Sequence, residues 1–257
     1  MSDTKELRTI WISDSHLGCK AANPDKLLRF LKAHKCQYLF LVGDIIDIWE
    51  LKRKTIHWSP ECNEVIRRII KMSRHARVVY ITGNHDEFLN SYSGEKFGNI
   101  EIAEEAAHEL LSGKHVLVTH GHQFDLLVRH TFVAKIGSVL YDYLIWLNQK
   151  VNIIRNKLGL KRWSLASYVK EKTKRACMFI SNYESALIWE AETKGYEGVV
   201  CGHIHHAVVR QIPDQSVNSL IYPPNFLYCN CGDWIENCSV LVEHLDGKLE
   251  IMDCSGI

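Results

Sequence analysis

Five short clusters of Asp, His and Asn side chains constrain the fold of this chain more than any other feature of its sequence. Most of them directly follow a short apolar run. The runs span residues 9–13, 38–42, 78–82, 116–119 and 199–201, and the clusters are Asp14-Ser15-His16, Gly43-Asp44, Gly83-Asn84-His85-Asp86, His120-Gly121-His122 and Gly202-His203-Ile204-His205. Apolar runs separated by helical segments, here about 24–34 and 59–75, predict buried strands of an α/β sheet. Because such sheets place their sites at the carboxyl ends of strands, the clusters are expected to form one site.

The composition predicts one domain. With 257 residues, 46% of them hydrophobic, the chain can bury one sizeable core, so we expect a single domain over residues 1–257 that carries an insertion. Residues 1–8 are polar, unlike a secretory signal, and the longest apolar stretch, 139–147, is too short to cross a bilayer. Nine scattered cysteines without a paired spacing predict a reduced, cytoplasmic protein.

Three late cysteines allow two interpretations. Cys229, Cys231 and Cys238 could hold a zinc ion, but their spacing departs from the usual zinc patterns. Small buried residues on a late strand are the favoured interpretation.

The pattern becomes helical between residues 124 and 195. Apolar residues recur at helical spacing from Ile136 to Ile154, Gly159 interrupts them, and a second helical pattern covers 164–194. Nine basic residues and one acid lie between 150 and 175. We interpret residues 126–194, approximately, as an inserted helical cap whose apolar and basic side chains suit an anionic lipid surface. The alternative is a helical hairpin that packs its apolar stripe on the core and exposes a basic face.

The clusters contain the ligand types of a two-metal site. A phosphate ester repels an attacking anion, and two divalent cations roughly 3.5–4 Å apart counter this repulsion and let water ionise at neutral pH. In an extended segment residues i and i+2 point the same way, so Asp14 and His16 can share a metal, and His203 and His205 can reach neighbouring metals. Asn84 adds a neutral oxygen, which leaves the site positive enough to attract a phosphate.

In these motifs the chain resembles the calcineurin-like metallophosphoesterases, over about residues 9–125 and 195–250. The resemblance implies an α/β fold, a four-layer αββα sandwich, with a binuclear centre. It implies that one metal is bound by Asp14, His16, Asp44 and His205, and the other by Asp44, Asn84, His120 and His203. It also implies that His85 contacts the substrate, and that Asp86 orients the His85 imidazole.

Within that superfamily the chain most resembles the UDP-2,3-diacylglucosamine pyrophosphatases of lipid A biosynthesis. The grounds are its length, segments 13–17 (SDSHL), 43–49 (GDIIDIW) and 83–89 (GNHDEFL), and a helical insertion after His120. In these enzymes the insertion covers an acyl-chain crevice, the usual metal is Mn²⁺, and water attacks the α-phosphorus to give UMP and 2,3-diacylglucosamine 1-phosphate. The resemblance therefore implies a UDP-linked acylated sugar as substrate and two divalent ions, Mn²⁺, as cofactors. It also implies peripheral contact with the cytoplasmic face of an anionic inner membrane.

Two positions depart from the best-known branch of these enzymes. That branch carries arginine where this chain has His85, and often an acid where it has His122. Asp125 is a candidate for the missing acid. The residues expected to contact the substrate are Asn84, His85, His122 and Asp125 and, for its phosphates, Lys172, Lys174 and Arg175.

Other functions make different demands on the chain. A general phosphomonoesterase or cyclic-nucleotide phosphodiesterase would need an open, polar cleft instead of an apolar cap. A non-catalytic scaffold of this fold typically loses metal ligands, yet all seven are present here. A nuclease would suit the basic stretch, but that stretch lacks an aromatic stacking platform, so no nucleic acid is expected as a partner.

Each cluster alone has an ordinary interpretation, since a lone Asp-x-His or Gly-Asp is more often a turn than a ligand set. Their joint order and strand-end placement favour the metal site. The eight other histidines are expected to be structural or exposed: His34, His57, His75, His108, His115, His130, His206 and His244.

Overall fold

A computed structural model describes residues 5–124, 183–212 and 225–257. The chain divides into two compact units, Met1–His122 with Leu187–Ile257, and Gln123–Ala186. Most of the predicted cap lies outside the described residues, as do Asp125, Lys172, Lys174 and Arg175. The cap and these substrate contacts therefore stay predictions. Among the described residues, no helix has both the length and the apolar character needed to cross a membrane.

The first unit alternates strands and helices in its amino-terminal part and is rich in strands after residue 197. Its strands are β1 (Lys5–Ile12), β2 (His34–Val42), β3 (Arg77–Ile81), β4 (Lys96–Phe97), β5 (Ile100–Ala103), β6 (Glu105–Glu109), β7 (His115–Thr119), β8 (Gly198–Cys201), β9 (Val208–Gln211), β10 (Leu227–Asn230), β11 (Ser239–Glu243) and β12 (Leu249–Asp253). Its helices are α1 (Pro24–Ala33), α2 (Ile48–Arg53) and α3 (Pro60–Met72), with a 3-10 helix at Glu87–Tyr92 and helical residues within 187–193.

The strands form two mixed sheets. One has seven strands in the order β12-β11-β1-β2-β3-β5-β4, and the other has five in the order β6-β7-β8-β10-β9. Strands β1, β2, β3 and β5 are parallel in the first sheet, and β7, β8 and β10 are parallel in the second. Parallel strands bring the loops after them to one edge of their sheet.

Helices α1 and α3 cover one face of the seven-stranded sheet. Each begins with proline, whose fixed φ suits the first helical position, and an acid follows in the first turn. In α3 the buried residues Val65, Ile69 and Met72 recur at helical spacing. With Leu27 and Leu31 of α1 they belong to one hydrophobic cluster with the sheet.

The apolar strands divide their side chains between two cores. In β2, Leu39 and Leu41 join the cluster with α1 and α3, whereas Phe40 and Val42 join a second cluster with Val118 and residues of the other sheet. Alternate residues of a strand point to opposite faces, so a strand buried on both faces reads as a continuous apolar run. The second cluster therefore lies between the two sheets.

The α/β fold with two packed sheets confirms the prediction, with shifts at element bounds. Strand β2 begins at His34 rather than at residue 38, because its polar first residues pair with Lys5–Leu7 of β1. The short strands β4, β5 and β6 were not predicted. Cys229, Cys231 and Cys238 are buried, as expected, and within the described ranges no potential metal-binding group contains a cysteine.

Candidate metal centre

The loops after β1 and β2 continue the pairing of the two strands. Beyond the strand ends, the amide of Asp14 donates to the carbonyl of Gly43 at 3.1 Å, and that of His16 donates to the carbonyl of Asp44 at 2.9 Å. The loops after β7 and β8 approach similarly, since the amide of Gly202 donates to the carbonyl of His120 at 3.3 Å. These links hold the clusters at the carboxyl edges of both sheets.

Five of the seven predicted metal ligands have a left-handed backbone. Their φ angles lie between 41° and 70°, and the residues are Asp14, His16, Asp44, His203 and His205. This conformation costs an L-residue roughly 1–2 kcal/mol, although Asp and His adopt it more often than most residues. Strained backbone concentrated in one place is typical of functional sites.

Glycines make room for the ligand side chains. Gly43 has a φ of 75°, and a Cβ there would overlap the ring of His120. A Cβ on Gly202 would lie 2.6 Å from Oδ2 of Asp14. Gly43, which precedes Asp44, and Gly202, which precedes His203, therefore cannot carry a side chain, because a ligand from another loop lies too close.

The first ligand group consists of Asp14, His16 and His205, whose ligand atoms all lie within 4.8 Å of one another. Nε2 of His205 is 3.2 Å from Oδ1 of Asp14, and Nε2 of His16 is 3.9 Å from the same oxygen. The other Asp14 oxygen accepts a hydrogen bond from the amide of His203 at 2.9 Å. One oxygen thus faces the imidazoles while the second fixes the carboxylate to the loop after β8.

The second group consists of Asp44, His120 and His203, again within 4.8 Å. Nδ1 of His120 donates to the carbonyl of Val42 at 2.9 Å, and its Nε2 lies 3.4 Å from Oδ2 of Asp44. The same oxygen lies 3.7 Å from Nε2 of His16, a member of the first group. Asp44 therefore lies between the groups, at the position that a bridging carboxylate would take.

The buried ligand atoms without a hydrogen-bond partner among the described residues include Nε2 of His16 and Oδ1 of Asn84. A buried polar atom without a partner costs roughly 1–3 kcal/mol. Two divalent cations would satisfy these atoms, and carboxylate, amide and imidazole donors suit ions such as Mn²⁺.

In each ligand group, contact between a carboxylate and an imidazole shifts the pKa of one of them. Burial raises the pKa of Asp14, but the hydrogen bond and charge of His205 outweigh it and hold that pKa at about 2. Burial lowers the pKa of His120, but the carboxylate of Asp44 raises it to about 10. The carboxylates thus stabilise positive charge on the neighbouring imidazoles, and protons and metal ions would compete for the imidazole nitrogens.

Asp47 has a role that the sequence did not reveal. Its Oδ1 lies 3.0 Å from Nδ1 of His85, and its Oδ2 lies 3.3 Å from Nδ1 of His16. Oδ1 also accepts from the amide of Glu50, so Asp47 is the N-cap of α2. A carboxylate on one ring nitrogen fixes the orientation of a histidine and leaves the other nitrogen for a ligand. The only sequence signal was its position three residues after Asp44.

Asp86 does not orient His85 as predicted. Its Oδ1 accepts from the amide of Gly83, and its Oδ2 accepts from the hydroxyl of Tyr80 at 2.6 Å and the amide of Ile45 at 2.9 Å. Asp86 is fully buried, and these bonds tie the loop after β3 to the loop after β2. Asp47 takes the predicted place of Asp86 beside His85, because the Gly83 turn directs Asp86 inward.

The sequence model of the calcineurin-like phosphoesterase family matches residues 7–207 of this chain. The chain belongs to the calcineurin-like phosphoesterase family. Membership of this family implies divalent metal ions, and the two ligand groups supply residues that could hold them.

The curated proteins to which this phosphoesterase is similar include two UDP-2,3-diacylglucosamine hydrolases. The chain is 23% identical over 244 residues to the one from Shewanella loihica, with 91% of each chain covered. It is 21% identical over 254 residues to the protein of the same name from Shewanella sp. strain MR-7, with 94% of this chain and 95% of the other covered. Among solved structures, a predicted phosphoesterase of Streptococcus pneumoniae shares 16% identity and a TM-score of 0.40 over 96% of this chain and 90% of that chain.

His122 lies beside the second ligand group of the phosphoesterase. Its ring centre is 5.5 Å from that of His120 and 6.5 Å from that of His203, and the residue is half-buried. It does not belong to either ligand group. A substrate contact by His122 stays a prediction.

Proposed function

We propose that this phosphoesterase hydrolyses the pyrophosphate bond of UDP-2,3-diacylglucosamine, by attack of water on the α-phosphorus, and releases UMP and 2,3-diacylglucosamine 1-phosphate. The observation that carries the hydrolysis is the approach of Asp44 to both His16 and His120, which places one carboxylate between two ligand groups. The substrate rests on relatives named UDP-2,3-diacylglucosamine hydrolase, which match nine-tenths of this chain.

The proposed cofactors are two divalent ions, Mn²⁺ in our assignment. One would be held by Asp14, His16, Asp44 and His205, and the other by Asp44, Asn84, His120 and His203. When bound, such ions lower the pKa of water and neutralise charge on phosphoryl oxygens.

His85 contacts the phosphoryl group in this proposal. The carboxylate of Asp47 lies 3.0 Å from Nδ1 of His85, so Nε2 is the nitrogen left for the substrate. The leaving group of the proposed reaction is a sugar phosphate, which ionises near pH 6 and needs little protonation. His85 therefore serves as a hydrogen-bond donor to a phosphoryl oxygen, and the same ring could protonate the more basic leaving oxygen of a simple ester.

The proposed substrate also needs a place for two acyl chains. We assign this role to the predicted cap, approximately 126–194, with Lys172, Lys174 and Arg175 near the phosphates. Its basic residues would favour peripheral contact with the cytoplasmic face of an anionic membrane.

The test is an assay of the purified protein with Mn²⁺ on UDP-2,3-diacylglucosamine and on aryl phosphates. We expect UMP release that stops on addition of EDTA and returns with Mn²⁺. A matched pair, Asp44→Asn and Asp246→Asn, changes one carboxylate in the candidate site and one in an exposed turn, and only the first should abolish turnover. Turnover confined to aryl phosphates would remove the lipid substrate from the proposal.

A second candidate is a phosphoesterase for small, polar esters. It is favoured by a cavity of about 370 Å³ beside His85, whose lining includes the polar residues Lys52, Asn84, Glu87 and Asn90. A higher kcat/KM for small monoesters or cyclic nucleotides than for the lipid would select it.

A further inference from the structure

Three consecutive residues at the start of α2 contact His85. Oδ1 of Asp47, the N-cap of the helix, lies 3.0 Å from Nδ1 of His85. The amide of Ile48 donates to the carbonyl of His85 at 3.3 Å. The indole of Trp49 stacks on the imidazole. The position of His85 therefore depends on the first turn of this helix.

Trp49 contacts the imidazole in a way that the other neighbours do not. Its ring centre lies 4.0 Å from that of His85, and the two planes are 26° from parallel. The ring of His16 is nearly perpendicular to the imidazole, with centres 4.5 Å apart. A carboxylate at one nitrogen locates one atom of the ring and leaves the ring free to tilt, whereas a stacked ring fixes the plane. Asp47 therefore locates Nδ1, and Trp49 sets the plane of the imidazole.

Core packing does not explain the position of Trp49. Two other tryptophans, Trp11 and Trp234, are fully buried, one in each hydrophobic cluster. Trp49 is half-buried and belongs to neither cluster. A large aromatic side chain stabilises a fold most when it is fully buried. An indole that instead lines the cavity beside His85 indicates a role at the site.

We infer that Trp49 is a positioning residue, which holds the imidazole of His85 in the plane from which Nε2 donates to the phosphoryl group. This inference rests on the proposed function, in which His85 is that donor. A hydrogen bond weakens steeply as its angle falls toward 120°. A small misplacement of a reacting group can lower the rate strongly. Loss of the stacked ring should therefore lower kcat rather than weaken substrate binding.

The kinetic test compares Trp49→Leu with Trp49→Phe, in protein supplied with Mn²⁺ and with bis(p-nitrophenyl) phosphate as the substrate. Leucine removes the flat ring, and phenylalanine keeps one. We expect kcat of Trp49→Leu to fall by about 3–10-fold, the size of the interaction in one aromatic pair, with KM within about twofold. Trp49→Phe should retain kcat within about twofold of the wild type.

The double variant of Trp49→Leu with His85→Gln separates positioning from other roles. Its kcat should lie within about twofold of that of His85→Gln alone, because the ring that Trp49 orients is gone. A direct contact of Trp49 with the substrate would instead raise KM in both backgrounds, and a general disturbance of the site would lower kcat in both. Either result would overturn the inference.

The matched control is Trp58→Leu. Trp58 follows the same helix and is 38% exposed, but its Nε1 donates to Asn63 at 3.0 Å and it does not line the cavity. The control should retain the kcat of the wild type. An equal fall of kcat in Trp49→Leu and Trp58→Leu would count against a specific role of Trp49.

Proton NMR tests the stacked pair without any hydrolysis, in protein supplied with Mg²⁺, which does not broaden signals as Mn²⁺ does. A stacked indole shields the protons below its face, so the imidazole signals of His85 should move downfield in Trp49→Leu and stay in place in Trp58→Leu. If the protein hydrolyses no phosphoester, the proposed function fails, while this downfield shift still supports the positioning of His85. Unchanged signals in Trp49→Leu would overturn the inference. Hydrolysis of bis(p-nitrophenyl) phosphate but not of UDP-2,3-diacylglucosamine removes only the proposed substrate.

Discussion

Two buried clusters of carboxylate and imidazole side chains in this protein are built in opposite ways. The first surrounds Glu243 at the end of β11, where Oε2 accepts from Arg8 at 2.6 Å and from Thr9 at 2.9 Å, and Oε1 accepts from the amide of Leu111 at 2.7 Å. The Thr9 hydroxyl is also 3.1 Å from Nε2 of His108. These residues belong to both sheets, so the Glu243 cluster joins one sheet to the other.

The candidate metal centre contains the same chemical groups, but some of its buried polar atoms lack hydrogen-bond partners among the described residues. His16 and Asn84 retain buried atoms without a hydrogen-bond partner among the described residues, and the backbones of Asp14 and Asp44 are left-handed. A cluster that serves stability satisfies its polar atoms, because a bare one costs free energy. Strain and bare ligand atoms together indicate a cluster kept for function.

The largest expected difference between the clusters comes from Asp44→Asn. This change keeps an oxygen for the amide of His85, which in the wild type donates to Oδ1 at 2.8 Å, but removes the shared negative charge. We expect kcat to fall by about 10³-fold or more, equivalent to roughly 4 kcal/mol. Hydrolysis assays give kcat, and thermal unfolding in EDTA should show a smaller loss of stability than Glu243→Gln. Retained turnover would mean that Asp44 does not hold metal.

Glu243→Gln should show the opposite result: a loss of stability with little change in kcat. Its amide would present N–H groups to Arg8 or to the amide of Leu111, both of which are donors. Breaking a buried ion pair in this way costs about 3 kcal/mol. Urea unfolding measures the loss, and kcat of the folded variant should stay within about twofold of the wild type. Glu250→Gln, at an exposed pair with Lys248, is the control and should change stability little. An active-site defect in Glu243→Gln would show that the clusters are coupled.

Asp47→Asn tests whether Asp47 orients His85 and His16. The variant keeps the side-chain shape but weakens the contact with Nδ1 of His85 and with Nδ1 of His16. Carboxylates that orient such histidines are typically worth 10–100-fold in activity or metal affinity. We therefore expect kcat to fall by about 10–100-fold. The double variant Asp47→Asn with His85→Gln should lose little more than His85→Gln alone, if Asp47 acts on catalysis through His85. Additive losses would assign its effect to His16 and metal binding.

Sequence patterns predicted the strand ends better than the side-chain directions there. Apolar runs before Asp14, Asp44 and Asn84 located three strands, because burial on both faces leaves a continuous signal. The same patterns carry no information on which way adjacent residues of a tight turn point. Asp86 consequently lies inward on Tyr80, while Asp47, from another loop, reaches His85.

The Glu243 cluster was also beyond sequence reasoning. His108 was expected to be structural and is buried against Trp11 and Phe40, with ring centres 5.5 Å and 5.0 Å away. Its partner Glu243 lies 135 positions later, and β6 itself was not predicted. Long-range pairing of this kind depends on sheet order, which a local pattern does not contain.

The smallest expected effect is the acid sensitivity of the Glu243 cluster. Burial raises the pKa of Glu243, but the His108 ring, 3.8 Å away, and hydrogen bonds from the Leu111 amide and Arg8 outweigh burial and hold that pKa below the usual 4.5. A carboxyl whose pKa is lower in the folded state stabilises the fold above its unfolded pKa, and that contribution is lost as the pH falls through the folded value. The difference in unfolding free energy between wild type and Glu243→Gln should therefore be constant above about pH 6 and should shrink below about pH 4.5.

Urea unfolding of both proteins between about pH 7 and pH 3 measures this difference. Other acids, such as Asp14 with its pKa of about 2, titrate in both proteins and largely cancel. A difference that stayed constant to about pH 3 would show that Glu243 contributes by shape and hydrogen bonding rather than by charge. In that case charge would matter in the candidate metal centre but not in the Glu243 cluster.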